Sequence, residues 1–240
     1  MSRKAIAESS TRYFQEVSVG DNKKSRTRAL LLDTAIMVFA RQGIDSASIL
    51  EITEAAGLAN ASFYYHFRDK AALVEAVGGA VAATLVRETD DAMSHMERGS
   101  ERVAFGSTFF IRRGVAEPVW GRLIVRAIAD LGEFREQISS GIRKDVQMGI
   151  DQGEFDVAAT PALHAMLFGI VGAAMHDLLE HPEARGTATL ACESMLRVLG
   201  LPRGRAKALA QRATGWVDEA LGQAAVLKSY DERLSSAQIG

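Results

Sequence analysis

A group of polar-tipped rings between Ser48 and Phe67 carries the clearest chemical signal in this chain. Three adjacent rings, Tyr64, Tyr65 and His66, each end in a group that can hydrogen-bond to a phosphate oxygen or to the edge of a base. Three such rings in a row are an unusual choice for a helix face that meets only water. Their types and spacing therefore favour nucleic-acid recognition.

Two short helices joined by a tight turn are predicted to position these rings. Ser48 precedes Glu51 by three residues, which is the spacing of a capping box at a helix start. Gly57 supplies the left-handed conformation that ends such a helix. Phe63 and Phe67 are four residues apart, so they share the buried face of the second helix. Pairs of helices joined in this way also occur as plain packing, so the pattern alone leaves that alternative open.

The flanking residues strengthen the nucleic-acid interpretation. Four cations fall within residues 23–28, at the start of a segment, 27–43, with the periodicity of an amphipathic helix. Residues 23–74 hold seven Lys or Arg and five Asp or Glu, a net charge of +2, whereas the whole chain carries −2. This asymmetry is typical of a small nucleic-acid-binding unit on a larger acidic body. Short cationic clusters also occur in solvated tails, so the signal supports the interpretation without deciding it.

Residues 25 to 85 resemble the N-terminal domain of the tetracycline-repressor (TetR/AcrR) family of bacterial transcription regulators. The resemblance implies a helix-turn-helix over residues 48–67 within a DNA-binding domain of residues 25–85. The rest of the chain resembles the family only in length and helical character. The matching residue types, at fixed spacing, are Arg28, Ala35, Phe39, Gly43, Ser48, Ile52, Ala56, Gly57, Tyr64, Phe67, Lys70 and Leu73.

The resemblance also implies a role for individual side chains at the DNA. Ser48 would cap its helix beside a phosphate, and residues 60–66 would form the recognition helix in the major groove. Lys70 would share a phosphate with the N-terminus of the following helix. A flexible arm would bring Lys23, Lys24 and Arg26 to the backbone or the minor groove. The recognition-helix positions correspond to Ser62, Tyr64 and His66 for the sugar-phosphate backbone and to Asn60, Ala61 and Tyr65 for base edges.

Two positions depart from the family pattern. Ala59 stands where Ser or Thr is common, so the recognition helix loses its usual N-cap, worth about 1 kcal/mol. Asn60 is an alternative cap, and in that role it would be less free to read a base. Leu50 replaces a residue that is frequently polar or basic. It either contacts a thymine methyl or lies exposed without a role, and we favour the second.

The remainder of the chain predicts an all-α protein. Its 240 residues contain only four prolines, each suited to the start of a helix, and β-type alternation is absent. By resemblance, residues 86–226 would form a helical domain for effector binding and dimerisation, between a flexible N-terminal arm (1–24) with the DNA-binding domain and a C-terminal tail (227–240). The helices predicted after the DNA-binding motif are 70–96, 100–115, 118–131, 133–152, 161–180, 183–199 and 202–222.

The chemistry of an enzyme or a metal site is not visible in the sequence. The five histidines show no HExxH spacing, and no second cysteine is available to hold zinc beside Cys192. There is no GxSxG elbow, no P-loop and no GxGxxG motif. We therefore predict no catalytic residues, no metal and no cofactor. Cys192 lies in an apolar run, which favours a buried structural thiol over a redox sensor.

The segment 161–180 is apolar around most of its circumference, so both of its sides must be covered. We predict that it forms a homodimer interface together with 183–199; the alternative is the central helix of a monomer. A two-fold dimer would place two recognition helices about 34 Å apart on a palindromic operator.

The longest apolar run of the chain, 165–175, is too short to span a bilayer. No signal peptide is recognisable, so we expect a cytoplasmic, nucleoid-associated bacterial protein.

Aromatic residues and methionines between residues 93 and 177 indicate a pocket for a small organic effector, although the same composition describes an ordinary core. Arg112 and Arg126 either meet an internal carboxylate or await a ligand anion. The resemblance implies that the effector shifts the helix at 70–96 and weakens DNA binding. The favoured function is thus a ligand-released repressor; the alternatives are an activator of the same family and a helical interaction module without DNA binding. The candidate pocket residues are Phe109, Arg112, Trp120, Arg126, Met166 and His176.

Overall fold

The computed structural model describes the backbone of residues 22–129, 133–184 and 186–237. Within those ranges the secondary structure consists of ten α-helices and contains no strand. The prediction of an all-α fold is confirmed. The helices are α1 Lys23–Gln42, α2 Ile49–Ala55, α3 Asn60–His66, α4 Lys70–Ala92, α5 Gly99–Ala116, α6 Pro118–Ala129, α7 Glu133–Asp151, α8 Pro161–Glu180, α9 Thr187–Val198 and α10 Arg203–Ala237.

The chain forms two compact units that divide between Val81 and Ala82, inside helix α4. The first unit contains α1, α2, α3 and the start of α4. The second contains the rest of α4 and helices α5 to α10. The predicted arm (1–24) lies outside the described residues except for its last three, and the side chains of the predicted tail (227–240) also lie outside them.

The first unit is built around the buried face of α1. Leu31, Ala35 and Phe39 recur at spacings of four on that face and are almost completely buried. Ile52 of α2 and Phe63 of α3 are buried without remaining exposure. Burying side chains of this size stabilises the unit by roughly 1.5–3 kcal/mol each, which is enough to hold two seven-residue helices that would not be stable alone.

Helix α5 is the centre of the second unit. It contacts α6, α7, α8, α9 and α10, and most of its length is buried. At its N-terminus it crosses α7 with the two backbones in direct contact: a Cβ added to Gly99 would lie 2.2 Å from the backbone nitrogen of Gly149. No other residue type fits at Gly99 without moving one of the two helices.

The N-terminus of α5 is capped by residues that are distant in sequence. Its own N-cap residue, Arg98, makes no side-chain capping bond. Instead, the backbone N–H of Gly99 donates to Gln152 Oε1 (2.9 Å), and that of Ser100 donates to Glu154 Oε2 (2.8 Å). These bonds satisfy two of the amides that a helix start leaves without partners, and they tie α5 to the turn after α7.

Helix α8 matches its predicted bounds, and by length and apolar composition alone it is a candidate to cross a membrane. In the structure it packs against α5, α6 and α9 and buries Leu167 and Met175 completely. This is the packing of a core helix. Its outer side is lined by small residues and by Met166, which is 60% exposed.

Four predicted helix boundaries were wrong by four residues or more. Helix α1 begins at Lys23 instead of residue 27, because Asn22 is a good N-cap whose Oδ1 accepts a bond from the Ser25 amide (3.0 Å). Helix α4 ends at Ala92 instead of residue 96, where the Met93 carbonyl accepts a bond from Arg102 Nη1 (3.0 Å). Helix α9 begins at Thr187 instead of residue 183, because residues 181–184 form a turn in which the Ala184 amide donates to the His181 carbonyl (2.9 Å). Helix α10 continues to Ala237, because neither Gly nor Pro follows Gly222 within it.

Candidate nucleic-acid interface and internal cavity

The start of α2 is fixed by the predicted capping box. The Glu51 amide donates to Ser48 Oγ (3.2 Å), and the Ser48 amide donates to Glu51 Oε2 (2.8 Å). Gln42 Nε2 of α1 donates to the same carboxylate oxygen (2.9 Å). Hydrogen bonding by the Ser48 side chain is the main reason that the pKa of Glu51 lies below its usual value. After α2, Gly57 has a φ of +64°, as the turn prediction requires.

Helix α3 presents its polar rings outward and its phenylalanines inward. Tyr64 is 57% exposed and Tyr65 is 69% exposed, whereas Phe63 and Phe67 are buried. The Phe63 and Tyr64 rings meet edge to face, with centroids 5.3 Å apart. The helix is therefore anchored from below while its tyrosines remain available on the surface, as the sequence pattern predicted. Asn60 and Ala61 are also exposed, and Ser62 and His66 are half-buried.

The N-terminus of α3 has no side-chain cap at Ala59, as the sequence predicted. The alternative cap, Asn60, points elsewhere: its Oδ1 lies 3.3 Å from the Thr53 hydroxyl of α2. This contact places the oxygen end of the Asn60 amide against α2, where the single Thr53 proton is also within reach of the Leu50 (3.0 Å) and Ile49 (3.1 Å) carbonyls. The NH₂ end of that amide retains its two donors for a group outside the helix pair.

The cationic cluster belongs to the first turn of α1, which corrects the prediction of a flexible arm for Lys23, Lys24 and Arg26. The Lys24 ammonium lies 5.1 Å from the centroid of the Tyr65 ring, so α1 places a positive charge beside α3. No acidic residue accompanies the cations in this turn. Positive charges at a helix N-terminus oppose its macrodipole, at a cost of about 0.3–1 kcal/mol each, so their placement here favours a role at an external anion.

His66 and Lys70 lie at the far end of α3 and the start of α4. Burial lowers the pKa of His66 below its usual value, and the positive charges of Lys24 and Arg28 lower it further. The Nδ1 atom of His66 is buried and has no hydrogen-bond partner among the described residues. Lys70 Nζ donates to the Asp45 carbonyl (2.8 Å), which holds the loop that leads into α2.

A cavity of about 70 Å³ lies inside the second unit, and we call it the α5 cavity. Its wall is mostly apolar, with a polar end formed by Asp90, Arg102 and Asp145. Arg102 Nε donates to Asp145 Oδ1 at 2.5 Å, and both side chains are buried. The complete lining is Val86, Thr89, Asp90, Met93, Arg102, Val103, Gly106, Ser107, Phe110, Gly141, Ile142, Asp145, Phe168 and Val171.

The six residues predicted for an effector pocket are not brought together, and none of them lines the α5 cavity. Phe109 stacks on Phe105 in a cluster with Val217 and with Met93, which also lines the α5 cavity. Arg112 pairs with Asp218 at a half-buried position, which is the carboxylate alternative left open by the sequence. The remaining four are scattered: Trp120 is buried with Arg113 over its ring, whereas Arg126, Met166 and His176 are exposed.

No local pattern in the sequence predicts the buried pair Arg102–Asp145. The two residues are 43 positions apart and lie on different helices. Arg102 follows Glu101 and Asp145 follows Lys144 in the sequence. Such neighbouring charges are typical of exposed positions, so neither residue is predicted to be buried. Only the apolar residues 103–105 that follow Arg102 hint that its side of the helix is covered. Cys192 is buried as predicted, and burial raises the pKa of its thiol to about 11.

The comparisons with known proteins agree with this geometry. The sequence model described as "Bacterial regulatory proteins, tetR family" matches residues 31–77, and the one described as "Tetracyclin repressor-like, C-terminal domain" matches residues 98–212. The HTH-type transcriptional regulator AcrR of Shigella flexneri is 45% identical over 47 residues, which are 20% of this chain and 22% of AcrR. This chain thus matches about a fifth of the length of AcrR.

A longer alignment reaches the probable HTH-type transcriptional regulator ArpR of Pseudomonas putida, which is 26% identical over 61% of this chain and 79% of ArpR. Among solved structures, RolR in complex with its ligand resorcinol has a TM-score of 0.67 at 24% identity, covering 79% of this chain and 95% of RolR. SmeT, the repressor of the Stenotrophomonas maltophilia multidrug efflux pump SmeDEF, has a TM-score of 0.56 at 17% identity, covering 73% and 91%. These structures share the fold.

An exposed recognition helix on a small helical head, joined to a larger helical unit, defines a helix-turn-helix DNA-binding regulator. With both family models matched in order along the sequence, the chain belongs to the TetR family of bacterial transcriptional regulators.

Proposed function

We propose that the protein is a homodimeric repressor that binds a palindromic DNA operator and is released by a small organic effector. The observation that carries this proposal is helix α3, which exposes Tyr64 and Tyr65 over two buried phenylalanines and lies beside the Lys24 ammonium. Exposed polar rings beside a cation can hydrogen-bond to phosphates and base edges. Such a surface is better explained by DNA contacts than by contact with solvent alone. The protein would act in the bacterial cytoplasm, at the nucleoid.

The DNA contacts divide into positioning and reading contacts. Tyr64, Ser62 and His66 would bind the backbone, while Asn60, Ala61 and Tyr65 would face base edges. Because Asn60 Oδ1 is engaged by Thr53, its NH₂ group is the part that reads, and it would donate to a base acceptor such as guanine O6 or N7. Lys70 would act next to the phosphates by holding the loop before Ser48.

The proposed dimer uses the outer faces of α8 and α9. Met166 is 60% exposed and Leu190 is 64% exposed, and both are large apolar side chains. Ala165, Gly169 and Ala173 are exposed along the same side of α8, where small side chains permit the close approach of another helix. Apolar surface of this kind favours burial against a second copy, and two-fold dimers are the commonest oligomers.

The α5 cavity supports the effector part of the proposal, because small-molecule sites are apolar hollows with a few polar groups. Solved relatives of similar fold are described with ligands bound, resorcinol in RolR and stearoyl-CoA in FadR from Bacillus subtilis. In this chain an effector would shift the population toward a conformation that fits the operator poorly.

Selection of bound duplexes from a random DNA library tests the central proposal. Purified protein at moderate salt is expected to enrich a palindrome, and the affinity for that palindrome should fall steeply with salt because bound cations are released. A non-palindromic motif would contradict a two-fold dimer, and a flat salt response would contradict phosphate binding by the α1 cations.

Tyr64→Ala is expected to weaken binding to all duplexes alike, by roughly tenfold or more, because it removes a bond to a charged backbone oxygen. Tyr64→Phe is the matched control, since it keeps the ring that packs on Phe63 and removes only the hydroxyl. Affinities would be measured by fluorescence anisotropy on the selected duplex and on a scrambled one. A change confined to sequence preference would contradict the backbone role.

The dimer is tested by sedimentation at micromolar concentration. Met166→Glu and Leu190→Glu each place a charge in the proposed interface and should give a monomer mass. Leu50→Glu is the control, because Leu50 is equally apolar and 54% exposed but lies in the first unit. A monomer mass for the unsubstituted protein would contradict the proposed dimer.

A further inference from the structure

The charged residues that line the α5 cavity indicate which chemical class of ligand it can hold. All of its lining residues belong to the second unit, from the end of α4 and from α5, α7 and α8. Three charged side chains line it: the carboxylates of Asp90 and Asp145 and the guanidinium of Arg102. The lining therefore has a net charge of −1 when all three are ionised.

The guanidinium of Arg102 is already engaged on three sides. Its Nε donates to Asp145 Oδ1 (2.5 Å), its Nη1 donates to the Met93 carbonyl (3.0 Å), and its Nη2 lies 3.5 Å from Asp90 Oδ1. An anionic ligand that approached its remaining N–H groups would lie close to both carboxylates and be repelled by them. Such a ligand would also bring a second uncompensated negative charge into a space with few polar groups, which is unfavourable.

The carboxylates, by contrast, can accept more hydrogen bonds. Each ionised carboxylate has about four acceptor positions, and the contacts with Arg102 use Oδ1 of Asp145 and Oδ1 of Asp90. Burial raises the pKa of Asp145 even though Arg102 opposes that shift, so its charge is less well stabilised than in water. A further hydrogen-bond donor would stabilise it.

The rest of the wall favours an apolar body. Val103, Phe110, Phe168 and Val171 are among its apolar lining residues, and the volume of about 70 Å³ exceeds the roughly 10–15 Å³ that a single water requires. This volume is smaller than the roughly 150 Å³ cavity that holds a benzene ring, so the body is at most one ring, and the wall must move outward to admit it.

We infer that the α5 cavity binds a small organic molecule that has an apolar body, donates a hydrogen bond to Asp145 or Asp90, and carries no negative charge. This inference rests on the proposed function, because it names the chemical class of the effector. Hydroxyl and ammonium compounds belong to that class, and carboxylates and phosphates are rejected.

Four probes of nearly equal shape test the charge and donor requirements: benzyl alcohol, benzylamine, benzoate and toluene. Their binding to the full-length protein without DNA would be measured at neutral pH by ligand-detected NMR and by thermal shift. Benzyl alcohol or benzylamine should bind at least tenfold more tightly than benzoate and more tightly than toluene. Benzoate binding as tightly as the donors would overturn the inference, and so would the absence of binding by all four at millimolar concentration.

A filling variant establishes that binding occurs in this cavity. A Cβ added to Gly141 would lie 3.7 Å from Val86 Cγ1, an ordinary contact, so an alanine fits there without a clash, and a longer side chain would extend from a residue that lines the cavity. Gly141→Leu should occupy the cavity and remove probe binding, whereas Gly141→Ala, the matched control, should retain it. Both substitutions remove a glycine from a helix interior, so neither is expected to weaken folding. Unchanged binding in Gly141→Leu would place the probes elsewhere.

Asp90→Asn tests the role of charge and leaves the buried Arg102–Asp145 pair intact. Asp90 is half-exposed, so the protein is expected to fold normally. The variant should reduce the preference for donors over benzoate several-fold, and an unchanged preference would contradict the charge argument. Operator binding would be measured on the same samples. Intact operator binding without probe binding overturns this inference alone, while probe binding without operator binding overturns the proposed repressor alone.

Discussion

The two units of this protein differ in where they place the polar groups of their candidate sites: the first unit exposes them and the second unit buries them. The first unit keeps phenylalanines inside and turns Tyr64 and Tyr65 outward within a single seven-residue helix. The second unit turns an arginine and an aspartate inward, from helices that are far apart in sequence. Recognition of an external partner is thus encoded locally, whereas the polar end of the cavity depends on how distant helices pack. Substitutions in the two units should differ accordingly in what they affect.

The largest effect is expected from Arg102→Met. It leaves Asp145 buried without its cation and also removes the bond to the Met93 carbonyl, so the second unit should lose about 3–5 kcal/mol of stability. The free energy of unfolding would be measured in urea. Arg112→Met is the control, because its pair with Asp218 is half-buried and should contribute less than about 1 kcal/mol. Equal losses in the two variants would show that the buried pair has no special role.

Asn60→Ala should change specificity and leave stability almost unaltered. Loss of the outward NH₂ donor should relax base preference at one or two positions in each half-site, by about 1–3 kcal/mol per position. Repeating the duplex selection with the variant measures this. Thr53→Val is the informative partner, since it removes the hydroxyl that orients the amide. If Asn60→Ala and the unsubstituted protein prefer the same DNA sequences, Asn60 does not read a base.

His66 should make operator binding depend on pH. Burial and two nearby cations lower the pKa of its imidazole in the free protein below 6.5, so the ring is neutral at pH 7.5. A phosphate brought next to the ring would raise that pKa, and binding would then be accompanied by proton uptake. Operator affinity should therefore increase as the pH falls from 7.5 toward 6, by at most about tenfold per pH unit for each subunit. His66→Gln should have a flat profile over this range; the same slope in both proteins would assign it to another group.

The smallest effect is expected from Ala59→Ser. Ala59 has the extended backbone of an N-cap, with φ −70° and ψ 147°, but no side chain that can accept a bond. A serine hydroxyl should stabilise the first unit by about 0.5–1 kcal/mol, as measured by thermal unfolding. A decrease in stability would mean that the uncapped amides of α3 already have partners in the folded protein.

What the sequence could predict follows the same division. The start of α2 was predicted correctly from the capping box, which is a local signal, and the bounds of α3 match those implied by the family resemblance. The end of α4 was missed because the Met93 carbonyl, directly after the helix, accepts a bond from Arg102, a residue of the next helix. The α5 cavity was missed for a similar reason, since helices spread over more than 80 residues form its wall. Composition made Phe109 a pocket candidate, but composition does not distinguish a core contact from a cavity wall.

The contact between the Gly99 and Gly149 backbones gives α7 a pivot point, or fulcrum, near its C-terminal end. At that point the two backbones touch, and the capping bonds from Gln152 and Glu154 hold the same end of α7 against α5. A rotation of α7 about this fulcrum would move its backbone by a distance that grows toward Glu133. Gly141, at the cavity, lies eight residues or about 12 Å from the fulcrum, so a rotation of roughly 5° moves its backbone by about 1 Å. A ligand that pushes on the cavity wall therefore produces its largest movement at the opposite end of the helix.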